Sequence, residues 1–264
     1  TDAGGTSSVV SVTTTGAQTY NDNVTLNGTY TTTNNAFLAA GTTTLAGATT
    51  VSTGAGNITF TGAVDGGQTL AANSTGATVF GGMVGGGTAL TSVTTNAGGT
   101  TAVNGGGVTT SGAQSYGDAL SLGANAVFTG TTGAFFGAID GAGFDLTLNF
   151  SAPSVVNGGT FINVNNFTVG GGSTTDLSGL ISTAGTQTYN DAITLSAGTT
   201  LTSTGNLAIA LNSTVDGANT LAVNTAGATS FGAAVGAGTA LTSLTTNAGG
   251  TSSVRNVTTT GGQT

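Results

Sequence analysis

Short apolar clusters recur along the whole 264-residue chain, each bounded by Gly, Asn or Asp. Representative clusters are Thr220-Leu-Ala-Val-Asn224, Ala240-Leu-Thr-Ser-Leu-Thr-Thr246 and Asp191-Ala-Ile-Thr-Leu195. Within them apolar and polar positions roughly alternate, which predicts short strands with one face inward and one in solvent. The abundant Thr, Val and Ile suit such a pleated surface because branching at Cβ is accommodated there. Helix is disfavoured by the many Gly residues, each costing about 1 kcal/mol relative to Ala in a helix interior. Pro153 is the one proline, so Gly, Asn and Asp must make the turns. The pattern predicts an all-β chain with many tight corners.

Self-similarity sets the architecture. Residues 64–100 and 215–251 align without gaps at an offset of 151, with 27 of 37 positions identical. A second phrase, GAQTYND at 16–22, returns as GAQSYGD at 112–118 and GTQTYND at 185–191, and begins again at 261–264. A third marker, a hydrophobe followed by Asp-Gly, falls at Asp65, Asp140 and Asp216. The last two markers agree on a unit of about 75 residues, with one unit longer by about 20. The units are read as the end of one at 1–19, then 20–115, 116–188 and 189–264, within a 245-residue super-repeat. The phrase at 4–19 matches that at 249–264, so the chain is read as an excerpt of a longer repetitive protein.

An insertion of about 20 residues that leaves both flanks matching is expected of a stacked coil that gains one whole rung. The fold predicted is therefore a parallel β-helix, or β-solenoid, running through 1–264 as one continuous element. It would have about 20 residues per rung and about 12 rungs, with nearly four rungs per 75-residue unit and strands ~4.8 Å apart. Leu70, Phe80, Leu90 and Val93 in one copy, and Leu221, Phe231, Leu241 and Leu244 in the other, are the predicted structural core.

Composition narrows the chemistry. There are 48 Gly and, by count, 59 Thr; Arg255 is the one basic residue, and the nine acidic residues are all Asp. His, Cys, Glu and Lys are absent, which removes the common transition-metal ligand sets and the usual general bases and nucleophiles. A net charge of −8 argues against phosphate-led nucleic-acid binding and against docking on anionic lipid. Low charge with 37% hydrophobic residues argues against disorder.

The phrases VDGANTLAVNTAGATSFGAAVGAGTALTSLTTNAGGT and TTTGAQTYND resemble repeats of filamentous-haemagglutinin-type bacterial surface proteins. The resemblance covers almost the whole chain. It implies a right-handed parallel β-helix in a large secreted or outer-surface adhesin. No functional residue of that family maps onto this sequence.

Few residues suggest a site. Asp65, Asp140 and Asp216 read first as turn formers, since Asp bonds its own backbone and Gly supplies positive φ; weak capture of Ca²⁺ by corner carboxylates is the functional alternative. No other cofactor or metal is expected. Asp22, Asp118 and Asp191 read as corner caps. Asp140 and Asp145 are close enough in sequence to be weighed as a glycosidase pair, but no basic partner is nearby and no catalytic residue is expected. Tyr20, Tyr116 and Tyr189 are expected to cover corners half-buried with the hydroxyl in water, or else to form a sugar-stacking platform. Arg255, standing where the matched segment has Val10, is expected to be exposed.

The function expected is non-catalytic: a structural and adhesive shaft of an extracellular bacterial filament or surface protein. Its partners would be copies of itself in a fibre and host or neighbouring-cell glycans, with no nucleic acid and no membrane insertion. The alternatives are a Thr-rich ice-binding solenoid and a carbohydrate-binding β-helix. Ice binding wants Thr-x-Thr at the same place in every rung, whereas runs such as Thr13–Thr15 and Thr42–Thr44 recur irregularly. A transmembrane β-barrel lacks the expected ~10-residue alternating strands and aromatic girdles.

Overall fold

A computed structural model describes residues 4–156 and 160–264. Residues 1–3, which open the 1–19 segment, and 157–159, inside the 116–188 unit, lie outside the described residues. The described residues contain strands, turns and bends but no helix, and every printed strand pairing is parallel. The chain is a parallel β-solenoid of about 12 turns, spaced about 20 residues apart. It divides into two compact units, 1–131 and 132–264.

In the first unit each turn contributes to three columns of stacked strands. The first column runs through Val24, Thr43, Val64, Val84 and Val108. The second runs through Thr49, Leu70, Val93 and Gln114. The third stacks Gln18–Tyr20, Phe37–Ala39, Ile58–Phe60, Ala77–Phe80, Thr100–Val103 and Ala119–Leu122. Alternation puts every second side chain inside, and the three-residue strands of the third column read buried–outward–buried. Parallel stacking places like positions above one another, so Phe60 lies on Phe80 with ring centroids 5.8 Å apart, while Phe37, which stacks on Ile58, meets the Phe60 ring at 5.6 Å. Leu70, Phe80, Leu90 and Val93 are all buried.

The second unit has the same plan. One column passes through Thr175, Ile193, Val215 and Val235, the next through Thr199, Leu221 and Leu244, the third through Phe167, Gln187, Ile209 and Thr229. Phe167 meets Phe161 and Tyr189 edge-on at 5.5 and 5.8 Å. Leu221, Phe231, Leu241 and Leu244 are buried here.

The corners need backbone that L-residues avoid. Gly107 has φ +141°, and a Cβ there would sit 2.0 Å from the Val127 carbonyl oxygen of the next turn. Only Gly admits both the angle and the close approach.

The register shows how the repeats fall on the coil: the longer one holds more than four turns and the shorter one nearly four. In the first unit Gln18 stacks through Phe37, Ile58 and Thr78 to Thr101, four full turns, and Gln114 lies two columns further on. That repeat spans four and two-thirds turns. In the second unit Gln187 stacks through Ile209 and Thr229 to Ser252, three full turns, and Gln263 again lies two columns on, beside Leu244. That repeat spans three and two-thirds turns. The 20-residue difference between them is one whole turn. The repeat therefore counts strand-plus-corner modules of about seven residues, three to a turn, and each copy ends one column short of where it began.

Candidate functional site

Most chemistry-bearing side chains in this chain are committed to tying one turn to the next. The Gln-x-Tyr phrase shows how. Gln114 and Gln187 are buried inward neighbours of Tyr116 and Tyr189. The Gln187 Nε2 donates to the Ile181 carbonyl at 3.2 Å, to Thr183 Oγ1 at 3.2 Å and to the Thr202 carbonyl of the next turn at 2.8 Å. Its Oε1 accepts from the Tyr189 hydroxyl at 2.8 Å. Gln114 repeats the set with Val108, Thr110, Thr129 and Tyr116. Gln18 repeats it with Val12, Thr14, Thr31 and Tyr20.

The tyrosines thus depart from the expected half-buried corner with a wetted hydroxyl. Tyr116 and Tyr189 are fully enclosed and Tyr20 nearly so, each with its hydroxyl turned to the glutamine two residues before it. No face is left for stacking a sugar. Burial pushes the Tyr116 and Tyr189 hydroxyls well above the ordinary value, and burial with the nearby Tyr30 pushes Tyr20 up to about 12.

The Asp that follows each phrase is a cap. Asp22, Asp118 and Asp191 are buried, and the Oδ1 of each accepts from a glycine N–H of the preceding turn, at Gly5, Gly99 and Gly172 respectively, 2.7–2.9 Å away. The Oδ2 of each accepts from Ser7, Thr101 or Thr175 at 3.3–3.4 Å. A buried carboxylate is tolerated because these donors replace its water.

The Asp-Gly carboxylates face outward but are also engaged. Asp65 Oδ1 accepts from the Gly87 and Thr88 N–H groups at 2.7 and 2.9 Å, and Asp216 Oδ1 from Gly238 and Thr239 at 2.8 and 3.0 Å. These bonds reach the next turn's corner, where the sequence suggested the residue's own turn. Asp140 does bond its own turn, through Ala142 N–H, and also the Asn163 amide. Asp145 Oδ1 accepts from the Asn165 and Asn166 side chains and the Asn166 N–H. These N–H donors present their positive ends to one carboxylate oxygen of each Asp, Oδ1. No group of three or more His, Cys, Asp or Glu that would hold a metal occurs among the described residues. Arg255 lies in the exposed last turn.

Asparagines do the same work at other corners. Asn57 Oδ1 accepts from Ala77 N–H, Asn96 from Ser74, Asn166 from Thr186 and Asn247 from Thr225, each 20–22 residues and one turn away. Two of the outward rows between corners carry no charge, whereas another places Asp176 and Asp216 either side of Thr194. The third column of the first unit presents Thr19, Leu38, Thr59, Val79, Ala102 and Ser121. A column of the second unit presents Thr147, Thr168, Thr188, Ala210, Ser230 and Ser253.

Sequence reasoning singled out the tyrosines and missed the glutamines. The available signal was that each Tyr of the phrase is preceded, two positions back, by Gln rather than by an apolar residue.

The fold and these bonds define a class: a repeat protein of the parallel β-solenoid kind, braced by side-chain bonds from turn to turn. No family model matches the chain, and comparison with curated proteins and with solved structures gives no match either. The resemblance to filamentous-haemagglutinin-type repeats is compatible with this solenoid and rests on the sequence phrases alone.

Proposed function

We propose that the chain is a structural and adhesive shaft segment of an extracellular bacterial filament or surface protein, working without catalysis. The observation that carries this reading is the bracing itself: Gln, Asp and Asn side chains at the corners bond one turn away, on top of a continuous parallel ladder. Such an arrangement resists axial bending and local opening, because every turn is held by main chain and side chain together. In the right-handed adhesin architecture that the sequence phrases suggest, copies of the chain and surface glycans are the partners. Electron microscopy of the purified chain tests the reading. An extended particle is expected, and a compact globule would refute it.

The outward rows speak against the ice-binding alternative. An ice-ordering face needs one repeated Thr lattice, and the first unit's row alternates Thr with Leu, Val and Ala. Thermal hysteresis above that of an inert protein would reverse this judgement.

A further inference from the structure

Several glycines in this chain make room for an asparagine of the preceding turn. A Cβ at Gly47 would sit 2.1 Å from Asn27 Oδ1, one at Gly123 2.3 Å from Asn104 Oδ1, and one at Gly185 2.2 Å from Asn166 Oδ1. Gly170 is different. It closes the strand Phe167–Gly170, faces outward and pairs in register with Asn149. A Cβ there would meet nothing closer than 3.7 Å, and its backbone lies outside the left-handed region. Neither packing nor backbone angle calls for glycine at this position. A glycine in a strand weakens it, and one that no neighbour requires marks close approach by something else.

The notch that Gly170 leaves has an acceptor on one side and a donor on the other. Asn149 Oδ1, on the preceding turn, lies 3.9 Å from the point where a Cβ would stand, and Asn190 Nδ2, on the following turn, lies 3.7 Å from it. The Asn190 amide is turned this way by Asn212, whose Nδ2 donates to Asn190 Oδ1 at 2.8 Å. Asn149 and Asn190 are both exposed. Thr168, two residues before Gly170, stands on the same face, in line with Thr147 and Thr188 one turn to either side.

The chemistry of the notch selects its ligand. A cation wants acceptors and an anion wants donors; an acceptor and a donor flanking one gap suit hydroxyl groups, each of which is both. The Thr147–Thr188 row and the asparagines beside it carry no charge, and the chain's net charge of −8 repels an acidic partner. Polar groups recur along this face at the ~4.8 Å spacing of the turns, which favours a chain of sugars over a single ring.

We propose that the Gly170 notch binds a neutral glycan. One ring hydroxyl donates to Asn149 Oδ1, its neighbour accepts from Asn190 Nδ2, and the glycan lies along the Thr147–Thr188 row. Glycine at 170 lets the ring come down between the two amides. This rests on the adhesive part of the shaft reading and gives that part a place on the molecule.

Titrating the full chain with neutral hexasaccharides of glucose, mannose and galactose, and with hexagalacturonate as their acidic counterpart, tests the proposal by NMR of the side-chain amides. The Asn149 and Asn190 amide signals should shift with at least one neutral glycan, with a dissociation constant of about 1 mM or tighter. Hexagalacturonate should leave them in place. Gly170→Val fills the notch, and the added Cβ meets only ordinary contacts, so the fold should persist while binding weakens about tenfold or more. Asn149→Ala, a change at an exposed side chain, should weaken binding to a similar degree and decides the matter if Gly170→Val does not fold. No shift with any neutral glycan, binding that survives these variants, or equal binding of hexagalacturonate overturns the proposal. An extended particle that binds no glycan defeats the notch alone, whereas a globule that binds through Asn149 and Asn190 defeats the shaft alone.

Discussion

Replacing Gln187 with Leu tests whether the Gln-x-Tyr phrase is a structural brace. Leu has nearly the volume of Gln, so little cavity is created and the effect isolates the polar groups. The amide's two N–H groups are shared among the carbonyls of Ile181 and Thr202 and the Thr183 hydroxyl, and its oxygen accepts from Tyr189. Losing each bond costs about 0.5–1.5 kcal/mol, and the enclosed Tyr189 hydroxyl, left without its acceptor, costs about 1–3 kcal/mol. A loss of about 3 kcal/mol is expected, in a range of about 2–5. Tyr189→Phe gives the sharper reading. Alone it should cost about 1 kcal/mol, but in the Gln187→Leu background it should restore about 1–2 kcal/mol by removing the orphaned hydroxyl. Solenoids need not unfold in one step, so hydrogen exchange of the amides around 181–202 should accompany urea melts. If Gln187→Leu unfolds within about 0.5 kcal/mol of the parent, or if Tyr189→Phe costs the same in both backgrounds, the brace is not what holds these turns.

Alkali should unfold the protein through its tyrosines. All four have hydroxyls raised by burial, Tyr20 to about 12, so the folded state favours the protonated form. Their contribution is complete below the unfolded value near 10 and is lost as pH rises through the folded values. Phenolate absorbance should therefore stay low at pH about 11 and rise only with loss of the β signal; ordinary titration with structure intact would contradict this. Gly107→Ala should destabilise by more than about 1 kcal/mol, because the added methyl meets the Val127 carbonyl at a left-handed position; a neutral thermal melt would count against it. Deleting residues 40–60, one whole turn as set by the pairing of Ala39 with Phe60, should leave a cooperatively folded solenoid, whereas deleting 40–49 should not. Circular dichroism of the two deletions decides, and equal damage would mean that turns are not interchangeable.

The chain's own pattern settled a good deal. Short alternating clusters between Gly, Asn and Asp can close only as short strands with tight corners. The 20-residue excess in one repeat measured the turn, because a stack admits an insertion only as a complete layer. Leu70, Phe80, Leu221 and Phe231 stood out as apolar positions shared by both copies, and burial follows from that chemistry wherever the strands come to rest. What the sequence could not show is how the repeat falls on the coil. Its period counts strand-plus-corner modules, and only closure of three modules into one turn makes each copy end a column short. The role of Gln18, Gln114 and Gln187 was hidden for a related reason. A glutamine at an alternating position is as well placed outward as inward, and what draws it in is a carbonyl 13–15 residues downstream, at Thr31, Thr129 or Thr202. That carbonyl becomes a neighbour only after the next turn has been laid down, so the choice belongs to tertiary structure.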